Sequence, residues 1–518
     1  MTSTQPRSGV LRTKSVEQSI ADTDEPDRKL RRELGALDLT VFGVSVLIGA
    51  GIFAYTAEAA GDDAGPGTAL AFVIAAVACA FAGLCYAEFA STVPVAGSAY
   101  TFSYATFGEL IAWIIGWDLI LEYALGASVV AKSWSKYLGQ ILRLIGLDVP
   151  GPAQAQLGPV TLDWGALLVI VALTAVIATG IKLSSRVSLI FTTIKVAIVL
   201  LVIVVGFTLI DGANYSEFIP AAQPGGPTSG GLEDTVLQAI TGNSGSSFGV
   251  YGLLAAASLV FFAFIGFDAV STTAEETRHP QKDLPRGILG SLAVVTVLYV
   301  LTSVVITGMV NYRQLSSDAN PGGATLATAF SIRGVDWAAA VVSVGALVGL
   351  TTVVLVLMLG QSRILFAMSR DGLVPRGLAR TGSNGSPVAI TLIVGGVCAL
   401  VAGFFPASAL EEMVNIGTLF AFVLVSIGTV YLRRNRPDLE RSFRTPLLPV
   451  VAVLAVLSCL WLMINLSLET WLRFVIWMAV GLVVYFAYSQ RHSMVGRRER
   501  GEVTDAATST PSTPSSGS

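Results

Sequence analysis

Long apolar runs constrain this chain more than any other feature. A bilayer core of about 30 Å is crossed by roughly 20 apolar residues in a helix, and windows of that size recur along the sequence. Read against glycine, proline and charged breakers, they give twelve spans near 37–59, 67–91, 107–134, 163–181, 187–210, 250–274, 287–311, 336–369, 388–405, 409–432, 447–468 and 471–490. Composition agrees: the 518 residues are 53% hydrophobic and only 13% charged, about half the charged share of a soluble domain. A mean hydropathy of +0.70 is too high for one core with a wetted surface. The expected fold is an all-α polytopic membrane protein with twelve transmembrane helices.

Several functions drop out early. A net charge of −3 offers no electrostatic footprint for nucleic acid. Cys79, Cys85, Cys398 and Cys459 lie inside apolar runs without CxxC spacing, so they read as small buried hydrophobes. His279 and His492 are far apart in polar segments, and neither a metal site nor a cofactor is expected. The polar segment 1–33 precedes the first apolar run, which reads as a retained helix and not a secretory leader. The tails 1–35 and 491–518, rich in Ser, Thr, Asp and Arg, read as disordered. A short interfacial helix is expected over Ala324–Arg333, before a long eighth span.

Charge placement orients the spans. With the N-terminus inside, most of the 32 Lys and Arg residues fall on the inner side, among them Arg363, Arg370, Arg376 and Arg380. The outer side receives Lys132, Lys136, Arg143, Arg313, Arg333 and Arg473. The positive-inside rule then places both termini in the cytoplasm, with the chain in the cell membrane and 212–249 as an extracellular loop.

Two spans carry interruptions. Span one reads Ile48-Gly49-Ala50-Gly51-Ile52-Phe53 near its middle. An unwound segment there would let the second half-helix present free N–H groups and its positive dipole end to an anion. The same glycines, with Gly43, could instead serve close packing of a neighbouring helix. Span six holds Phe262-Ala-Phe-Ile265-Gly266-Phe-Asp268, a glycine and a carboxylate at mid-helix. Paired interruptions in corresponding helices of two halves are the best sequence pointer to a transporter site, and spans one and six correspond if 1–5 and 6–10 form inverted repeats. N–H groups from one break and carbonyls from the other would suit the carboxylate and ammonium of an amino acid. Both charges must be satisfied at once in such surroundings.

Ionisable residues inside the membrane are functional candidates by default. Asp118 and Glu122 share a face of span three; Glu122 either lines the pocket or pairs with a neighbouring helix. Glu88, near the inner end of span two, reads as interfacially hydrated, and Asp268 as a partner for the frayed backbone of its own helix. Lys195 has apolar neighbours and lies too deep to snorkel. A lysine held out of water can exchange its proton at accessible pH, so a coupling role is favoured over a structural ion pair with Asp118, Glu122 or Asp268.

The run Glu33-Leu-Gly-Ala-Leu-Asp38-Leu through Ile48-Gly-Ala-Gly-Ile-Phe53 resembles the opening of the amino acid–polyamine–organocation (APC) superfamily. Leu84-Cys-Tyr-Ala-Glu88 through Tyr100 is similar to its second-to-third helix connection. Gly116-Trp-Asp-Leu-Ile-Leu-Glu122-Tyr, Phe262 to Asp268, Glu275 to Pro280, Met368 to Pro375 and Phe443 to Pro449 resemble the cationic amino acid transporter branch. The likeness covers roughly 33–490, with the motifs in family order. It implies a LeuT-type fold, with inverted repeats over 36–211 and 250–432 and two extra helices in 433–490, working by alternating access. The family's carboxylate site falls on Ile48, Gly49, Ala50, Gly51 and Ile52. Its amine site falls on carbonyls around Phe262, Ala263 and Ile265, with Phe262 as a gating aromatic. Glu122 matches the pocket-facing carboxylate, and Lys195 the lysine that bridges helices one and eight and responds to protonation. That lysine implies proton over sodium coupling. Ala50 stands where relatives often have a hydroxyl, and Ser45 where glycine is usual. Twelve spans match bacterial relatives, which also carry small neutral amino acids, so the branch name does not fix the substrate.

The expectation is a monomeric amino acid permease that is not an enzyme, with a proton and the lipid bilayer as its other partners. An exchanger and an ion channel stand as alternatives. No GxxxxGK[ST] loop offers ATP phosphates a seat, which disfavours a primary pump. No clustered catalytic groups favour a membrane-embedded transferase.

Overall fold

A computed structural model describes residues 12, 34–93, 98–147, 152–157, 160–180, 185–224, 231–242, 246–320, 322–380 and 387–500. Most of both tails therefore lies outside the described residues. Apolar helices occupy each span read from the sequence: α1 (Ala36–Leu47), α2 (Thr68–Thr92), α3 (Glu109–Leu144), α4 (Trp164–Ala178), α5 (Ser185–Phe207) and α6 (Gly249–Val260). They continue with α7 (Pro280–Met309), α8 (Asp336–Arg370), α9 (Val388–Phe404), α10 (Ala407–Asn435), α11 (Leu448–Ile464) and α12 (Leu468–Val484). Eight helical segments among the described residues are long and apolar enough to cross a membrane, and four apolar helices are shorter. The chain is an all-α polytopic membrane protein.

Burial separates the helices by role. α3, at 36 residues, is about 54 Å long; it packs against α8, α10, α4 and α9 and is buried on most of its faces. α2 lies between α7, α10 and α11. By contrast α12 keeps Val475, Ile476, Val480, Val483 and Phe486, on it or just after it, exposed, as a helix against lipid should. Tyr and Trp side chains at the helix contacts find partners: Trp113 Nε1 donates to the Gly481 carbonyl at 2.8 Å and Trp117 Nε1 to that of Trp477 at 2.9 Å, joining α3 to α12.

Some segments differ from expectation. A hairpin, Gln154–Leu157 paired antiparallel with Val160–Asp163 in the register Gln154 to Asp163, precedes α4. Asp163 ends it and caps α4 by accepting from the Ala166 N–H at 3.0 Å. A second pair, Gln223–Pro224 with Ser246–Ser247, lies in the long loop before α6. A helix over Ser98–Thr106 precedes α3. The tail predicted as disordered from 491 carries a helix over Met494–Glu499. There Ser493 is fully buried and donates to Glu109, because a carboxylate at the start of α3 needs hydrogen bonds once covered. The interfacial helix spans Leu326–Ile332.

Candidate functional site

The first break follows α1. Its last helical bond runs from the Ile48 N–H to the Val44 carbonyl at 3.0 Å, and the Ile48 ψ of 89° then turns the chain out of the helix. Helical geometry resumes at Ala50 and continues as a π-helical turn over Gly51–Tyr55. Unwinding thus falls on Ile48 and Gly49 and ends short of Gly51. The first N–H groups of the second half-helix have no preceding turn to bond, and its dipole puts positive charge there. Ile48, Ala50 and Ile52 are buried.

The second break lies after α6, which tightens into a 3₁₀ turn over Phe261–Phe264 before Ile265 extends at ψ 134°. Gly266 then takes φ 110°, a conformation that side chains resist, and a 3₁₀ segment runs from Phe267 to Glu276. A Cβ on Gly266 would also lie 2.6 Å from Val46 Cγ1, so this glycine seats the second break against the end of α1.

The two breaks touch. A Cβ on Gly51 would stand 2.2 Å from the Ala263 Cα, so backbone meets backbone there. The Tyr299 hydroxyl, from α7, bridges them, donating to the Leu47 carbonyl at 2.5 Å and the Ala263 carbonyl at 3.0 Å. One phenolic proton shared by two carbonyls holds both strands but cannot saturate either. Tyr55 and Phe262 meet edge to face with centroids 5.5 Å apart, placing an aromatic pair beside the junction.

Charged groups flank this junction. Lys195, fully buried on α5, donates to the Ser45 carbonyl at 2.6 Å. Its stem lies over Gly349 of α8, where an added Cβ would be 3.1 Å from Lys195 Cγ. It therefore joins α1 to α8 three residues before the first break. The ion pair weighed against a coupling role, with Asp118, Glu122 or Asp268, is replaced by a main-chain carbonyl. Glu122, also buried, lies among Asp268, Asp118 and Thr418, facing α10 and the second break. Asp118 points at Gly417 of α10, where a Cβ would be 2.8 Å from Oδ1. Asp268 accepts from the Tyr123 hydroxyl at 3.4 Å, a partner on another helix. Among the described residues no group of His, Cys, Asp and Glu gathers to hold a metal ion.

Glu88 corrects the reading as a hydrated interfacial carboxylate. It is 1% exposed, forks with the Arg433 guanidinium, whose Nε donates at 2.8 Å, and accepts the Thr445 N–H at 2.8 Å. A bidentate pair of this kind offsets the loss of water. Tyr299, Ser45 and Gly349 were not singled out as site residues from the sequence. The aromatic in mid-span seven was the available signal for Tyr299, whereas Ser45 acts through a backbone carbonyl that leaves none.

The amino acid permease family model matches residues 34–489. The chain belongs to the amino acid permease family, within the APC superfamily. The branched-chain amino acid permease BcaP of Bacillus subtilis is 43% identical over 95% of this chain and 100% of its own length. The methylthioribose transporter of the same organism is 40% identical over 95% and 100%. Cationic amino acid transporter 4 of Mus musculus is 30% identical over 96% and 92%. Relatives that differ in named substrate thus align over almost the whole chain, and the break motifs lie inside the matched region.

Proposed function

We propose that this permease is a secondary amino acid transporter of the cell membrane, working by alternating access around the junction of the two breaks. The observation that carries the reading is the backbone contact of Gly51 with Ala263, bridged by Tyr299. Half-helix N–H groups there would hold the substrate carboxylate and break carbonyls its ammonium, with Ile48 to Ile52 on one side and Phe262, Ala263 and Ile265 on the other. In this reading α1–α5 and α6–α10 form inverted repeats, α11 and α12 are additions, and both termini face the cytoplasm. Both breaks come from one chain, so a monomer suffices.

Protons are the proposed coupling ion, with Lys195 as the switch, since its ammonium ties α1 to α8 beside the site. The side chain carried is proposed to be neutral and aliphatic, on the strength of the 43% identical branched-chain permease. The test is uptake of each of the twenty amino acids by the reconstituted protein, with and without an inward proton gradient. Saturable leucine, isoleucine or valine uptake that grows with the gradient, with counterflow, is expected. Uptake indifferent to the gradient would remove the coupling, arginine preference the substrate class, and unsaturable current the carrier itself.

A further inference from the structure

A cavity of about 490 Å³ opens beside the start of α7, away from the breaks, on the face where the described parts of both tails lie. One wall holds Lys282 and Arg286, the other Ser442 and Phe443, with Pro285 and Leu289 between them. We propose that this cavity binds the headgroup of an anionic phospholipid.

Lys282 and Arg286 are one helical turn apart on α7, so both ammonium and guanidinium point to one side. Both are exposed, and among the described residues neither pairs with a carboxylate. The nearest acid in sequence, Asp283, is buried and lies 3.7 Å from His279. Two exposed cations on one side of a helix fit a phosphodiester, and the guanidinium fork suits two phosphate oxygens.

The opposite wall is fixed in place. The Phe443 carbonyl accepts from Ser91 at 3.3 Å, the Thr445 N–H donates to Glu88 at 2.8 Å, and Ser442 donates to the Gln281 side chain at 3.4 Å. The loop between α10 and α11 is thereby held to α2 and α7.

Below the cations the same face of α7 turns apolar. Leu289 is half-buried, Ala293 exposed, and Val297 58% exposed, so this one face of α7 is uncovered by neighbouring helices. A charged head above and an acyl chain along this stripe match a phospholipid better than a free anion. Basic pockets between helices at the cytoplasmic surface take anionic headgroups on the same physical grounds. The inference rests on the membrane placement of the chain and is independent of what the site at the breaks carries.

The test uses the full chain in phosphatidylcholine vesicles doped with spin-labelled phosphatidylglycerol or spin-labelled phosphatidylcholine, reading the motionally restricted fraction. Wild type is expected to favour phosphatidylglycerol. K282Q/R286Q should lose that preference by on the order of tenfold, while K282R/R286K keeps it. R376Q/R380Q, which removes two exposed cations on another loop, should also keep it, and inorganic phosphate should not displace the lipid. No preference in wild type, or equal loss in R376Q/R380Q, would overturn the site. Displacement by inorganic phosphate would make it a free-anion site and overturn the lipid.

Discussion

Lys195 donates its ammonium to the main-chain carbonyl of Ser45, 2.6 Å away and fully buried. The bond leaves the lysine with an acceptor that carries no charge, so any change in its protonation is felt directly by α1. A switch needs such a two-state element that one ligand can bias. Lys195→Ala is expected to abolish proton-driven uptake while substrate counterflow persists. Lys195→Arg should also lose gradient dependence, because a guanidinium stays charged. Gradient-dependent uptake in Lys195→Arg would mean the residue acts only as a tether.

Gly51 and Gly49 make a paired prediction, since two residues apart they face different surroundings. A Cβ at 51 meets the Ala263 backbone at 2.2 Å, whereas one at 49 meets Val353 methyls at an ordinary 3.5 Å. Gly51→Ala should therefore push the breaks apart and lower substrate affinity by on the order of tenfold, with Gly51→Leu inactive. Gly49→Ala should cost less than Gly51→Ala. Affinity from equilibrium binding to purified protein decides between them, and the reverse order would place the substrate elsewhere.

Much of this arrangement was legible in the sequence because it is local. Glycines at mid-span and a carboxylate two residues from Gly266 break an apolar pattern, and the pattern itself locates twelve helices. The rest is long-range. Glu88 looked like a hydrated end of α2 because its partner Arg433 is 345 residues away. The Ser45 carbonyl that holds Lys195 is not legible, because backbone carbonyls are invisible to composition. The hairpin before α4 and the helix over Ser98–Thr106 lack the apolar periodicity that spans show. At the first break the sequence could not say that Gly51 rejoins the helix while Gly49 does not.

Tyr299→Phe tests the bridge by removing the hydroxyl and keeping the ring. The variant leaves the Leu47 and Ala263 carbonyls without their shared donor, a loss of about 1–3 kcal/mol for buried acceptors. A lower unfolding midpoint in detergent is expected together with reduced uptake, since both breaks lose a common anchor. Normal uptake with a lowered midpoint would make the tyrosine purely structural.

Glu88→Gln addresses the fork with Arg433. Breaking a buried ion pair by removing one partner costs roughly 3–5 kcal/mol, and the lower end applies here because the Arg433 side chain is 31% exposed. The Thr445 N–H keeps an acceptor in glutamine, so what is lost is mainly charge. The loop between α10 and α11 should loosen, read as faster amide exchange over 439–446. An unchanged exchange rate would show that Thr445 and Ser91 hold the loop alone.

Glu122 is the residue whose two roles predict different selectivity. It is 4% exposed and lies among Asp268 of the second break, Asp118 of its own helix and Thr418 of α10. If its carboxylate faces the substrate side chain, it attracts a cationic competitor, and Glu122→Gln should weaken arginine competition against labelled leucine by on the order of tenfold. Leucine competition against itself should stay the same, because the α-carboxylate and ammonium are held by backbone groups at the breaks. If instead the carboxylate only packs α3 against α10, both competitions shift together with the unfolding midpoint. The ratio of the two inhibition constants separates the roles, and an unchanged ratio would remove Glu122 from the substrate-binding residues.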